Sequence, residues 1–217
     1  MPRTAPQMPA LLAENAYALF GRRGFDHVTI DDIAARAGVT KGSFYSHYPS
    51  KHQIVLAACQ HYYRSYQQYV HREIAARSDP LDRLRCLIEL SVHRCVVDRH
   101  ARVFTTEIFA RSLKDPQVRA SWLQFYDSVR ELYIGLVEAI RASGQTTAPH
   151  PRTAVDLMLA ALEGVKIRAV YEPHIASETE QRVLVEGLLA ILLDPGTNIG
   201  PTSCQIAEQV DNVPGCP

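Results

Sequence analysis

The chain carries no excess charge of either sign: 23 Lys and Arg balance 23 Asp and Glu. A uniformly basic coat for nucleic acid is thereby excluded, and any DNA-binding surface must come from charge concentrated locally. No apolar run reaches the ~20 residues that span a bilayer. The opening MPRTAPQMPA lacks the apolar stretch of a secretory leader, so the expected location is the cytoplasm. Five cysteines, Cys59, Cys86, Cys95, Cys204 and Cys216, form no CxxC pair and no framework spacing. An odd, scattered set without a leader predicts reduced thiols rather than disulfides. A Gly-rich phosphate loop, a GxSxG elbow, an HExxH pair and any tight metal-ligand cluster are also missing. The expectation is therefore a protein that is not an enzyme and needs no metal or cofactor. No segment keeps a convincing two-residue alternation, which points to an all-α fold.

What is present is concentrated between Thr29 and Lys51, in TIDDIAARAGVTKGSFYSHYPSK. The Thr29 hydroxyl is placed to cap a helix whose first turn carries Asp31 and Asp32, acids that favour the positive end of a helix dipole. Ile30, Ile33, Ala34 and Ala37 form its apolar stripe at helical spacing. Gly38 stands where a helix C-cap wants positive φ. Two residues later Thr40 can cap a second helix, with Val39 and Phe44 spaced as a hydrophobic staple. Two short helices joined this tightly cross steeply, and the small Ala34 and Ala35 permit close approach. The second helix is expected over Lys41 to Tyr48, with Phe44 inward and Lys41, Gly42, Ser43 and Tyr45 outward. Gly42 costs about 1 kcal/mol against Ala inside a helix, which makes sense where something large approaches the backbone. Lys51 begins the next helix, placed to neutralise a phosphate. Residues 1–51 hold six Lys and Arg against four acids, a small local excess.

These residues resemble the TetR family of transcriptional regulators. The resemblance is carried by Ala16, Leu19, Phe20, Gly24 and Phe25, then Thr29, Ile33 and Ala34. It continues through Gly38-Val39-Thr40-Lys41-Gly42-Ser43 and Phe44-Tyr45-x-His47-Tyr48-x-x-Lys51. It is close over roughly the first quarter of the chain and rests on length and helical pattern beyond. Tyr48 departs from the family's usual Phe and adds a hydroxyl that needs a partner. The resemblance implies DNA contacts from Thr29, Thr40, Lys41, Gly42, Ser43, Tyr45, His47 and Lys51. Lys41, Ser43 and Tyr45 would lie nearest the bases, while Thr29, Thr40, His47 and Lys51 grip the backbone.

The remainder reads as helix nearly throughout. Expected segments run from Ser50 to about Arg77, from Asp79-Pro80 to about Arg99, and around Val103 to Phe109. Others follow from Val118 to Arg141, Arg152 to Tyr171 and Glu178 to Leu193. The expected organisation is a three-helix DNA-binding head over residues 5–51, a ligand-binding and dimerisation body over 52–193, and a disordered tail over 194–217. Val155, Leu159, Leu162, Val165 and Ile167 on one final helix, with Val183, Leu184, Leu188, Ile191 and Leu192 on the other, suggest apolar arcs wider than one face. Pairing with a second copy in a four-helix interface is expected, with Gly164 and Gly187 allowing close approach.

The resemblance also implies a cavity in the body for a small-molecule effector, here largely apolar, whose binding shifts the heads and lowers DNA affinity. Tyr63, Phe104, Phe109, Trp122, Phe125, Tyr126 and Tyr133 are candidate aromatic walls, and His93, Glu107 and Glu163 candidate polar orienters. Arg94, Arg99, Arg102 and Arg111 would suit an anionic ligand or simply form a solvated face. The expected function is a ligand-responsive repressor that holds a palindromic operator as a homodimer. A helical ligand-binding protein with a non-functional head is the first alternative, and a redox- or metal-responsive regulator, built on Cys86, His93, Cys95 and His100, the second. A non-specific architectural DNA binder would leave the large helical body without a purpose.

Overall fold

The computed structural model describes residues 7–146 and 150–193, and among these the regular structure is helical. The chain runs through α1 (Met8–Arg23), α2 (Ile30–Ala37), α3 (Lys41–Tyr45), α4 (Lys51–Ala75) and α5 (Pro80–Val92). A π-helical turn, His93–Val97, follows. Then come α6 (Arg99–Ser112), α7 (Pro116–Ala142), α8 (Pro151–Tyr171), a 3₁₀ turn at Pro173–Ala176 and α9 (Glu178–Leu193). No helix among the described residues is long and apolar enough to cross a membrane. The expected tail, residues 194–217, lies outside the described residues.

Helix ends fall where side chains supply the missing hydrogen-bond partners. The hydroxyls of Thr29, Thr40 and Ser50 accept from the backbone of Asp32, Ser43 and Gln53. Asp79, Asp98 and Asp115 do the same for α5, α6 and α7. Pro80, Pro116 and Pro151 open their helices, where the absent N–H costs nothing.

One expected helix is corrected. The run from Pro80 to about Arg99 ends as α-helix at Val92 and opens into the π-turn, with Asp98 N–H donating to His93 O at 2.9 Å. Asp98 caps the next helix through Ala101 N–H, so two elements stand where periodicity suggested one. The second motif helix is also shorter than expected: α3 ends at Tyr45, and Tyr48 N–H still reaches Phe44 O at 3.0 Å.

Helix α4 joins head and body. It packs along α1, where Tyr62 meets Tyr17 at 5.8 Å, and its Ile54, Val55, Ala58, Cys59, Tyr63, Tyr66 and Val70 are buried in the same continuous core. In that core the hydroxyls of Tyr66 and Tyr133 both meet Ser91 Oγ, at 2.9 and 2.8 Å. A buried polar trio tolerated in this way must satisfy its own bonds, because unpaired groups cost about 1–3 kcal/mol each.

Candidate nucleic-acid interface and effector region

The head is built from α1, α2 and α3. Phe44 is fully buried with Leu12, Phe20, Val28 and Ile33, and Ala34 and Ala37 complete the floor. Ile30 and Val39 are partly buried against it. Gly38 adopts φ +71°, with its N–H on Ala35 O at 3.1 Å and the Val39 N–H on Ala34 O at 3.0 Å. This paired closure ends α2 and turns the chain directly into α3.

Burying Phe44 leaves the rest of α3 outside. Lys41 and Gly42 are exposed, Ser43 and His47 half-buried, and Tyr45 is 46% exposed with its ring edge-on to Phe44. The Thr40 hydroxyl accepts from Ser43 N–H at 3.1 Å, fixing the start of the helix. At the start of α2, Thr29 and Asp32 form a reciprocal box: Thr29 Oγ1 accepts from Asp32 N–H at 3.1 Å while Asp32 Oδ2 accepts from Thr29 N–H at 2.8 Å. Bonds from the Thr29 hydroxyl and backbone, with the Arg23 guanidinium, hold the Asp32 carboxyl below the usual carboxylate range. The Lys41 ammonium sits 3.0 Å from Asp31 Oδ2, and that contact raises its pKa. Lys51 reaches the Asp26 carbonyl at 3.4 Å. The eight residues singled out from the sequence thus sit at the starts of α2 and α4 and on or beside α3, and their three helix starts are capped. A Cβ built on Gly42 would meet only Thr40 Oγ1, at 3.8 Å. Packing within the head therefore does not require that glycine.

The effector candidates separate into groups. Tyr63 stacks on Phe125 at 4.5 Å and 12°, and Trp122 packs on the same ring at 5.4 Å. Tyr126 lies 6.2 Å from Trp122, and Phe104 joins through Tyr62 at 5.6 Å. These rings fill the interior between α4, α6 and α7. Tyr133 is also fully buried but serves the Ser91 trio. The hydroxyl of Tyr63 is buried close to Ser121 and Cys59, beside a groove of about 320 Å³ between α4 and α7.

The other candidates lie elsewhere. Phe109 is 56% exposed on the outer face of α6, because the inward positions of that helix are Phe104 and Ile108. His93 lies on an open groove of about 520 Å³ with Tyr69, Arg94 and Asp98. Glu107 faces the head and accepts the Phe25 N–H at 3.3 Å. Glu163 pairs with Lys166, a lysine only 4% exposed that no sequence motif marks. The arginines do not form one anion site. Arg94 pairs with Asp98 and covers the faces of Tyr62 and Tyr66 at 5.8 and 5.9 Å. Arg102 donates to Val96 O, Arg111 approaches Asp26 at 4.0 Å, and Arg99 is exposed. Burial pushes the Cys59 and Cys95 thiols up to about 12, and no three potential ligands among the described residues gather as a metal site.

The apolar arcs of α8 and α9 are narrower than expected. Val155, Leu159, Leu162, Leu188 and Leu192 point into the protein's own core, and Val165, Leu184 and Ile191 are partly buried. Only Ile167 and Val183 of the expected set face outward, 53% and 61% exposed. The outward stripe is instead Leu157, Ala160, Gly164, Ile167 and Tyr171 on α8 with Val183, Gly187 and Ala190 on α9. The three- and four-residue spacing of small and apolar residues along α8 was the available signal for it.

Comparison with known proteins agrees with this architecture. Residues 12–58 match the family model described as bacterial regulatory proteins, tetR family. Residues 80–194 match that of the BetI-type transcriptional repressor, C-terminal. An HTH-type transcriptional repressor of Mycobacterium tuberculosis (strain H37Rv) is 28% identical over 203 residues, covering 90% of this chain and 94% of that one. The HTH-type regulator YerO of Bacillus subtilis is 39% identical over 51 residues, which are 24% of this chain and 18% of its own. In fold, the chain is similar to a transcriptional regulator from Saccharomonospora viridis crystallised with choline, at TM-score 0.77 and 21% identity over 85% of this chain and 96% of that one. A capped helix-turn-helix head, an all-helical body and family models matched over both make this chain a member of the TetR family of transcriptional regulators.

Proposed function

We infer that this regulator acts as a repressor in the cytoplasm, holding a palindromic operator as a homodimer and releasing it when a small molecule binds the body. The observation that carries the reading is the outer face of α3. Lys41, Gly42 and Tyr45 stand exposed around a helix start capped by Thr40, while Phe44 alone anchors the helix inward. Such a helix presents its first turn to base edges in a major groove. Thr29, His47 and Lys51 surround it as backbone contacts, which position the head without reading sequence. We assign residues 5–51 to this head and 52–193 to the body.

The outward stripe of α8 and α9 supports a homodimer. A Cβ built on Gly164 or Gly187 meets nothing within 4 Å, so neither glycine is explained by packing within one copy. Four helices meeting across a two-fold axis would bury Leu157, Ile167, Tyr171 and Val183 and place two α3 helices about one DNA turn, ~34–36 Å, apart.

The effector is read as largely apolar, entering among Tyr63, Trp122, Phe125 and Tyr126. The choline bound to the Saccharomonospora relative suggests testing quaternary ammonium compounds. In this chain the guanidinium of Arg94 already covers Tyr62 and Tyr66, so such a cation would need different rings or would have to displace it. The test is selection of bound DNA from a random pool at near-physiological salt. An enriched palindrome supports a sequence-specific dimer. No enrichment would instead favour a helical ligand-binding protein whose head has lost DNA binding.

A further inference from the structure

Helix α6 turns one face to the head, and the residues on it are spaced like rungs: His100, Phe104, Glu107 and Arg111. Each meets the next segment of the head. The His100 ring stands edge-on to Tyr17 at 4.6 Å, with Nε2 3.2 Å from the Ala18 carbonyl. Phe104 packs edge-on against Tyr17 at 4.9 Å and Phe25 at 5.5 Å. The Glu107 carboxylate accepts the Phe25 N–H, and Arg111 ends the series 4.0 Å from the Asp26 carboxylate.

Two glycines make this approach possible. A Cβ on Gly21 would lie 2.4 Å from His100 Cε1 and Nε2, and the three nearest atoms all belong to that ring. Gly24, at φ +79°, would place a Cβ 2.7 Å from Glu107 Oε1, again with only Glu107 atoms nearest. Among the described residues, no other glycine meets a side chain of another helix within 4 Å. Among the described glycines, the two closest approaches are therefore both where the body touches the head. Phe104 also touches Tyr62, so the same face of α6 is continuous with the aromatic interior.

We propose that His100 and Glu107 are positioning residues that fix the angle between head and body, and with it the half-site spacing the dimer accepts. The proposal rests on the dimeric-operator reading above. The His100 ring is held between the Tyr17 ring and the Ala18 carbonyl beneath Gly21, so displacing it presses on α1 and turns the head with that helix. In a two-fold dimer each turned head moves its recognition helix along the groove.

The experiment measures affinity for a series of operators whose half-sites are moved apart or together in single base-pair steps. Gly21→Ala pushes against His100. Expected are about a tenfold loss on the native operator and a preferred spacing displaced by about one base pair. Gly21→Ala combined with His100→Ala removes the collision and should restore the native spacing. Glu107→Ala adds no bulk and should widen the range of spacings tolerated. Equal weakening at every spacing, or no change, in the variants overturns the proposal. Should Gly21→Ala fail to melt cooperatively, Glu107→Ala decides by the same criterion. Wild-type protein that binds with no preferred spacing would instead refute the dimeric-operator reading, before any variant is measured.

Discussion

The hydroxyl of Tyr48 donates to the carbonyl of Pro9 across 3.0 Å, tying the chain just after α3 to the first turn of α1. This bond spans 39 residues and supplies the partner that a tyrosine requires at a position where the family usually has Phe. Half-burial of the ring raises the pKa of a hydroxyl that is already a donor at neutral pH. Tyr48→Phe should cost about 1 kcal/mol of stability, the net worth of one such bond. Urea unfolding measures it, and operator affinity should be unchanged, since the ring still packs on Phe44.

Tyr45 has the opposite role. Its ring is 46% exposed and makes its described ring contact with Phe44 alone. Tyr45→Ala should weaken operator binding by about 1–3 kcal/mol while the melting temperature and dimer remain close to wild type. A matching loss of folding stability would place Tyr45 in the core of the head instead.

The outward stripe of α8 and α9 makes a prediction about assembly. Gly164→Trp and Gly187→Glu have open space in one copy, so each isolated chain should fold. Both should shift sedimentation from dimer to monomer at micromolar concentration, and operator affinity should fall with the lost second head. Dimers unaffected by both substitutions would locate the interface elsewhere.

Acid should loosen the head through the Thr29–Asp32 box. Asp32 is held below the ordinary carboxylate pKa, first by the Thr29 hydroxyl and then by its backbone N–H. A depressed carboxylate stabilises the fold above its unfolded pKa of about 3.9, and that contribution disappears as pH falls through the folded value. The stability gap between wild type and Asp32→Asn should be small, constant near neutrality, and close as pH drops below about 4. Thermal melts from neutral to acidic pH read it directly; a gap independent of pH would remove the ionic part of the cap.

Much of the head was legible because its determinants are local. Thr29, Gly38, Thr40 and Phe44 act within a few residues of one another through caps, a left-handed turn and one buried ring. The family pattern covers these same positions, and with them the candidate DNA contacts. The body was legible only as helices, and imperfectly where the α5 periodicity ran on past Val92 into the π-turn.

What the sequence by itself determined is therefore the helical class, the capped motif and the exposed chemistry of α3, all consequences of interactions between near neighbours in the chain. Tertiary structure alone decided which apolar residues of α8 face inward, that Glu107 serves the head rather than the interior, and that Gly21 lies beneath His100. Those facts depend on how helices far apart in sequence pack, and periodicity says only that a face is apolar, never which partner covers it.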